Sequence, residues 1–240
     1  MKAMIFTAGL GTRLKPLTDR MPKALVPLAG KPLLRWQLEK LMDAGIRDIV
    51  VNVHHLPEQI IEYISEHCPQ GCRVKISDER KHLLDTGGGL KNALALLGDG
   101  REPVLACNVD ILSNIDVHAL IRQYETIGES LLVVSPRTTQ RYLCFGEDGC
   151  LCGWTNLKTG EIRLQDGRHL AFSGMQILST EALQRLRDMP DTVFSMIDFY
   201  LSQCQTLRLH AYVPQDYHMM DVGKIDCLQE AEEFALSLGK

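Results

Sequence analysis

The stretch MKAMIFTAGLGTRLKPLTDRMPK, residues 1–23, decides the fold class. Lys2–Phe6 is an apolar run that reads as a buried strand, and a glycine-bearing turn follows at once. Gly9 and Gly11 let the backbone approach a ligand closely and take φ > 0 where the turn requires it. Successive N–H groups in such a turn form an anion-binding nest, and Arg13 and Lys23 add side-chain positive charge. A strand, a turn and two fixed cations make a cradle for polyphosphate. Two other phosphate loops do not match. A dinucleotide fingerprint needs a third glycine where Leu14 stands, and an acid about twenty residues on, where Gly30 to Pro32 sit. A Walker A loop needs Lys directly after its last glycine, and no stretch has one.

Outward from this turn, apolar periodicity alternates between strand and helix. Leu34, Leu38, Leu41 and Met42 recur at helical spacing, so Pro32–Ala44 is predicted to be a helix that stops before Gly45. Asp48–Val53 is a β-branched run and reads as a second buried strand. Pro57–His67 is helical, Arg73–Ile76 is a third strand, and Gly89–Leu97 is a short helix after a glycine triplet. Pro103–Asn108 is a fourth strand, 116–126 a helix and Ser130–Ser135 a fifth strand. Such β-α repetition implies a parallel sheet covered on both faces. After Pro136 the texture changes. Arg141–Phe145, Cys150–Asn156 and Glu161–Leu164 are short strands between E-D-G and K-T-G turns. A strand over Leu170–Leu178, helices over Glu181–Arg187 and Ser195–Gln203, and strands over Thr206–Val213 and Tyr217–Met220 follow. A helix over Lys224–Leu238 closes the chain. The expected class is α/β: a Rossmann-like mixed, mainly parallel sheet with helices on both faces. It forms a single domain over 1–240, with a small β-rich insertion at 137–169.

Composition narrows the function classes. The 26 basic and 30 acidic residues are interspersed and give a net charge of −4. A nucleic-acid footprint needs a clustered basic face, so no nucleic-acid partner is expected. No apolar run is long enough to cross a membrane, and the N-terminus is too short in apolar residues for a signal sequence. The expectation is a cytoplasmic enzyme whose eight cysteines stay reduced. His67, Cys68 and Cys72 invite a zinc reading, but a second ligand pair at finger-like spacing is missing.

Ligands of open α/β sheets bind beyond the carboxyl ends of the strands, and unusual residues fall there. Asn108 and Asp110 close the fourth strand, and Asp221 and Gly223 follow the last. Asp110 and Asp221 are the candidate metal pair, since magnesium takes one or two carboxylates together with substrate phosphates. Each could instead cap a following helix. The triplet Gly87–Gly89 offers backbone that could lie flat against a planar base, or it could simply be a flexible helix start. Tyr142 and Trp154 could stack on a sugar face, or fill core.

These blocks together resemble the sugar-1-phosphate nucleotidyltransferases. The matching stretches are AGLGTRLKPLT, PKALVP, GKPLL, LDTGGG, NVD, FSGM and MDVG, which span Ala8 to Gly223. The chain is most similar to the single-domain N-acetylmuramate-1-phosphate uridylyltransferase and mannose-1-phosphate guanylyltransferase group. The resemblance implies a nucleotide-diphospho-sugar transferase fold and transfer from an NTP to a sugar 1-phosphate, with Mg2+ as cofactor. It implies that Arg13 and Lys23 are catalytic and contact the phosphates. Thr7, Ala8, Gly9, Gly11, Thr12, Gly87, Gly88 and Asn108 would bind the nucleotide. Gly174 and Asn108 would lie by the sugar, and Asp110 and Asp221 would hold the metal. The V-E-K-P block that grips the sugar phosphate in many relatives is replaced here by PRTTQRYL from Pro136, where Arg137 or Arg141 could stand in. A heptose phosphate or phosphocholine is the alternative acceptor. A non-catalytic nucleotide-sugar-sensing subunit is the alternative role, although such a subunit would be expected to lose Arg13, Lys23 or an aspartate.

Overall fold

The structure is a computed structural model and describes residues 1–238. In chain order the elements begin with β1 (Lys2–Phe6), β2 (Pro27–Leu28), β3 (Lys31–Pro32), α1 (Leu33–Asp43), β4 (Asp48–Val53) and α2 (Pro57–His67). Next come β5 (Arg73–Asp78), α3 (Asp85–Leu97), β6 (Val104–Asn108), β7 (Ile111–Ser113), α4 (Val117–Ile127) and β8 (Ser130–Ser135). The later half holds β9 (Arg141–Phe145), β10 (Leu151–Asn156), β11 (Glu161–Leu164), β12 (Arg168–Leu178), α5 (Thr180–Arg187) and α6 (Met196–Gln203). The chain ends in β13 (Leu209–Tyr212), β14 (Met219–Asp221) and α7 (Leu228–Leu238).

A ten-stranded sheet organises the molecule, and along its main path the order is β11-β10-β9-β12-β6-β1-β4-β5. β1 pairs in parallel with β4 and β6, and β4 with β5. Strand residues alternate between two cores. Ala3 and Ile5 face one with Leu105 and Cys107, while Met4 faces the other with Val104 and Ala106. Burial on both faces is why these strands read as continuous apolar runs rather than as alternating ones.

The β-α repetition predicted that β8 would simply extend the parallel sheet. Instead β12 lies between β6 and β8 and runs antiparallel to both. Eleven residues long, it also reaches β9, so one strand joins the parallel half to the β-rich segment. A bulge between Phe172 and Gln176 breaks its register with β8. Periodicity cannot reveal such an insertion, because a strand buried on both faces looks alike in either direction.

Two other expectations shift. The last strand leaves the main sheet: β14 pairs with β7 as a separate two-stranded ribbon, with Asp221 opposite Ile111. The helix expected from Gly89 starts at Asp85, so the glycine triplet lies inside the first turn and a half of α3.

Candidate active site

The turn after β1 is built to hold Arg13 and Lys23 in place. Gly11 has φ +62°, and a Cβ there would come within 2.8 Å of Thr18 Cγ2 and 3.1 Å of Lys23 Cβ, so only glycine fits. Thr18 Oγ1 donates to Gly11 O at 2.8 Å and closes the loop. Leu14, fully buried, anchors the short 3-10 turn that carries exposed Thr12 and Arg13. Pro22 enters a second such turn, which presents Lys23 while Ala24 is buried.

Asp110 follows β6, and Asp221 ends β14. Val222 N–H donates to Asp110 O at 2.9 Å, which stitches the two aspartate-bearing loops together. Lys23 Nζ donates to Asp110 Oδ2 at 2.7 Å, and both side chains are largely covered. Arg13 NH1 lies 3.5 Å from Asp221 Oδ2 in a more open pair. Gly223 N–H donates to Asp221 Oδ1 at 2.8 Å. A Cβ on Gly223 would stand 2.5 Å from Arg13 NH2 and 2.6 Å from Asp221 Oδ1, so glycine is needed for this approach. Helix capping does not explain either aspartate. Asp116 caps α4 by accepting from Ala119 N–H, and α7 starts only at Leu228.

Beside this cluster opens a cavity of about 440 Å³, lined by Phe6, Ala8, Gly9, Glu79, Thr86 and Val193 among others. Gly9 lies at the junction, since a Cβ there would sit 3.8 Å from Lys23 Nζ. The cavity wall is tied by Asn52, a polar residue that follows the apolar run Ile49–Val51 in β4. Its Oδ1 accepts from Thr7 N–H at 2.8 Å, its Nδ2 donates to Glu79 Oε1 at 2.8 Å, and its backbone carbonyl accepts from the Thr7 hydroxyl. Glu79 Oε2 accepts from Leu84 N–H at 3.3 Å. Burial pushes the Glu79 carboxyl above its ordinary pKa, while the bonds from Asn52 and Leu84 pull it back.

Three residues expected to bind the nucleotide, Thr7, Gly87 and Gly88, make packing contacts within the fold. Thr7 is buried, and both its N–H and its hydroxyl are committed to Asn52, so it braces the wall rather than facing a ligand. Gly87 and Gly88 do not lie flat toward the opening. Their N–H groups both donate to Phe194 O, at 2.9 and 3.0 Å. A Cβ on Gly87 would meet the Phe194 ring at 2.5 Å, and one on Gly88 would meet Thr192 O at 2.1 Å. The triplet lets α3 pack against residues 192–194. Thr86 and Asp85, just before it, reach the cavity instead.

On the far side of Asp110, Asn108 meets the bulge of β12. Gly174 has φ +71°, and its Cβ would lie 3.1 Å from Asn108 Nδ2 and 2.8 Å from Ile111 Cγ1. Ser173 in this bulge and Ser135 at the end of β8 carry buried hydroxyls; Ser173 faces the Tyr217 hydroxyl, and Ser135 has no hydrogen-bond partner among the described residues. Buried hydroxyls are normally paired, so the unpaired Ser135 stands out as a polar group in the wall beside the bulge. Arg137 NH2 donates to Phe172 O at 2.8 Å, beside the same bulge. Trp154 and Tyr142 have protein partners: Arg163 lies 6.0 Å over the Trp154 ring, and Tyr142 stacks on His169.

Sequence reasoning missed Asn52, Glu79, Ser135 and Ser173. A polar residue near the end of a buried β-branched run was the available signal for Asn52. Nothing local distinguishes the other three.

Comparison with known proteins supplies the family. Residues 2–146 match the nucleotidyl transferase family model. Over 228 residues, 90% of each chain, the sequence is 33% identical to N-acetylmuramate alpha-1-phosphate uridylyltransferase of Caulobacter vibrioides. It is also 33% identical, over 233 residues, to mannose-1-phosphate guanylyltransferase catalytic subunit beta of Xenopus tropicalis, covering 93% of this chain and 61% of that one. The fold matches apo-UDP-glucose pyrophosphorylase with a TM-score of 0.81 over the full length of both chains, at 20% identity. Nucleotidyl transfer in this family generally uses a divalent metal. With a matching family model, a relative similar over nine-tenths of its length and the same fold, the chain belongs to the nucleotidyl transferase family, on the branch that acts on sugar 1-phosphates.

Proposed function

We propose that this chain transfers a uridylyl group from UTP to a sugar 1-phosphate, with N-acetylmuramate 1-phosphate as the first acceptor to test, in a magnesium-dependent reaction. The reading takes residues 1–240 as one nucleotidyltransferase domain working in the cytoplasm. The observation that carries it is the joined cluster of Lys23–Asp110 at 2.7 Å and Arg13–Asp221 at 3.5 Å beside the cavity at Gly9. The choice of UTP rests on the uridylyltransferase relative, which matches this chain over 90% of both lengths.

In the proposed step a phosphate oxygen of the sugar 1-phosphate attacks the α-phosphorus of the NTP in line, the new P–O bond forms and pyrophosphate leaves. The nucleophile is already an anion, so no general base is needed. The protein's task is to align two polyanions and offset their repulsion. Arg13 and Lys23 donate to the charge that grows on the departing pyrophosphate. Lys23 also holds the Asp110 carboxylate in position, and Gly223 N–H does the same for Asp221. Asp110 and Asp221 offer only oxygen donors, which fits magnesium, and would hold the ion. Bound there, the ion would neutralise phosphate charge. The nucleoside would occupy the cavity between Ala8, Glu79 and Thr86. Sugar hydroxyls would lie by Asn108 and Gly174, near the Ser135 wall, with Arg137 near enough to serve an acceptor's anionic group.

The experiment is a pyrophosphate-release screen of UTP, GTP and other NTPs crossed with sugar 1-phosphates, with and without magnesium. Release with UTP and N-acetylmuramate 1-phosphate, lost on chelation, is the expected result. Asp110→Asn and Arg13→Ala should each lower turnover by about 10²–10³ while remaining folded. Preference for GTP with mannose 1-phosphate would overturn the substrate assignment, and near-native turnover in Asp110→Asn would overturn the metal assignment.

A further inference from the structure

The β-rich half carries a set of metal-ligand side chains that nucleotidyl transfer does not use. Cys144 lies in the middle of a three-strand array. Register places His169 of β12 directly opposite it on one side. On the other side is Gly153, next to the irregularity in β10 that contains Cys152. The turn between β11 and β12 brings in Asp166. Among the described residues, Cys144 Sγ, Asp166 Oδ1 and His169 Nε2 form a group whose atoms all lie within 4.8 Å of one another. Sγ to Oδ1 is 3.6 Å, and Nε2 to Oδ1 is 2.6 Å. Cys152 Sγ lies beside this group rather than within it, 3.3 Å from Cys144 O and 3.8 Å from Asp166 O.

We propose that Cys144, Asp166 and His169, with Cys152 swung in from beside them as fourth ligand, bind one zinc ion, which ties β9, β10 and β12 to the 165–167 turn.

Donor chemistry selects the ion. Thiolate, imidazole and carboxylate ligands at bond lengths of about 2.0–2.3 Å are zinc's set, and a tetrahedron of that size spaces its donors by roughly 3.3–3.8 Å. Magnesium prefers oxygen alone, so this site and the Asp110–Asp221 pair would sort two different metals. The surroundings are built for the purpose. Cys144 is fully buried, and both cysteines are unpaired. Gly167 N–H donates to Asp166 Oδ1 at 2.9 Å and orients the carboxylate. The Tyr142 ring stacks on His169 with centroids 5.4 Å apart and an interplanar angle of 19°, which fixes the imidazole. Outer contacts of this kind commonly hold metal ligands in place. Gly167 has no room for a side chain: a Cβ would come within 2.5 Å of Phe145 O and 3.1 Å of Cys152 Sγ, so glycine lets the turn close over the thiols.

The test uses the full-length reduced protein, stripped with a chelator and titrated with zinc against a chromophoric competitor. Cobalt(II) serves as a spectroscopic probe of thiolate ligation. The expected result is one equivalent of zinc per chain that survives gel filtration, thiolate-to-cobalt charge-transfer absorption, and a melting temperature raised by zinc. His169→Ala and Cys152→Ser should each weaken zinc binding by at least about tenfold and lose the thermal shift. Cys68→Ser, remote from the cluster, should change neither. Cys144→Ser is left out, because its site is buried and the other two variants suffice. Absence of stoichiometric zinc binding, or binding unchanged in both His169→Ala and Cys152→Ser, would overturn the proposal. So would a Cys144–Cys152 disulfide found by mass spectrometry in protein isolated under reducing conditions. None of these readouts depends on nucleotidyl transfer.

Discussion

At the scale of single residues, the glycines divide by what surrounds them. Gly11 and Gly223 permit close approach of charged side chains, Lys23 in one case and Arg13 with Asp221 in the other. Gly88 permits close approach of backbone, since its missing Cβ would overlap Thr192 O at 2.1 Å. Gly88→Ala must therefore move residues 192–194 or the start of α3. We expect it to lose about 1–3 kcal/mol of stability in urea unfolding, the usual cost of overpacking. If it instead raised KM for the NTP with stability unchanged, the packing role would be wrong and a base-facing role restored. The functional types were legible at this scale because Arg, Lys and Asp at strand ends have few reasons to be there. The direction in which each glycine faces was not legible, because it depends on a segment a hundred residues away.

At the scale of elements, α1 shows how the fold ties the Asp110 region down. Gln37 Nε2 donates to Ile111 O at 2.7 Å, and Lys40 Nζ donates to Ser113 O at 2.7 Å and to its hydroxyl at 3.1 Å. These three bonds fix β7, the partner of the strand that carries Asp221. Burial lowers the Lys40 pKa from 10.5 to about 8. Between these values the unfolded chain binds more protons than the folded one, so this residue makes stability rise with pH from about 8 to 10.5 and contributes no slope below. Lys40→Met removes that slope. The difference in unfolding free energy between wild type and Lys40→Met should stay flat up to pH 7 and then grow in favour of wild type as pH rises. A difference independent of pH up to 10 would show that Lys40 is not desolvated. The helix itself was readable from its leucines, but its lysine's partner lies 73 residues on, across three intervening strands and two helices.

At the scale of the whole molecule, β1 is the centre on which the site depends. Its residues face both cores, and the turn that follows it supplies Ala8, Gly9, Arg13 and Lys23. Met4 is fully buried against α3 and the β-rich half. Met4→Ala should cost about 2–5 kcal/mol, measured by urea unfolding, and a loss below 1 kcal/mol would mean the second core collapses around the gap. The sequence by itself determined the α/β class, the parallel half of the sheet and the identity of the charged residues, because buried strands, amphipathic helices and charged turns follow from local periodicity. Only the tertiary structure decided that β12 would enter between β6 and β8, and that β14 would leave the sheet to bring Asp221 against Asp110. It likewise decided that Thr7 and Gly88 would serve as braces, and that Cys144, Asp166 and His169 would gather at one point with Cys152 beside them. Strand order and side-chain facing are set by which distant surfaces bury each other best, and that competition leaves no mark in any short stretch of chain.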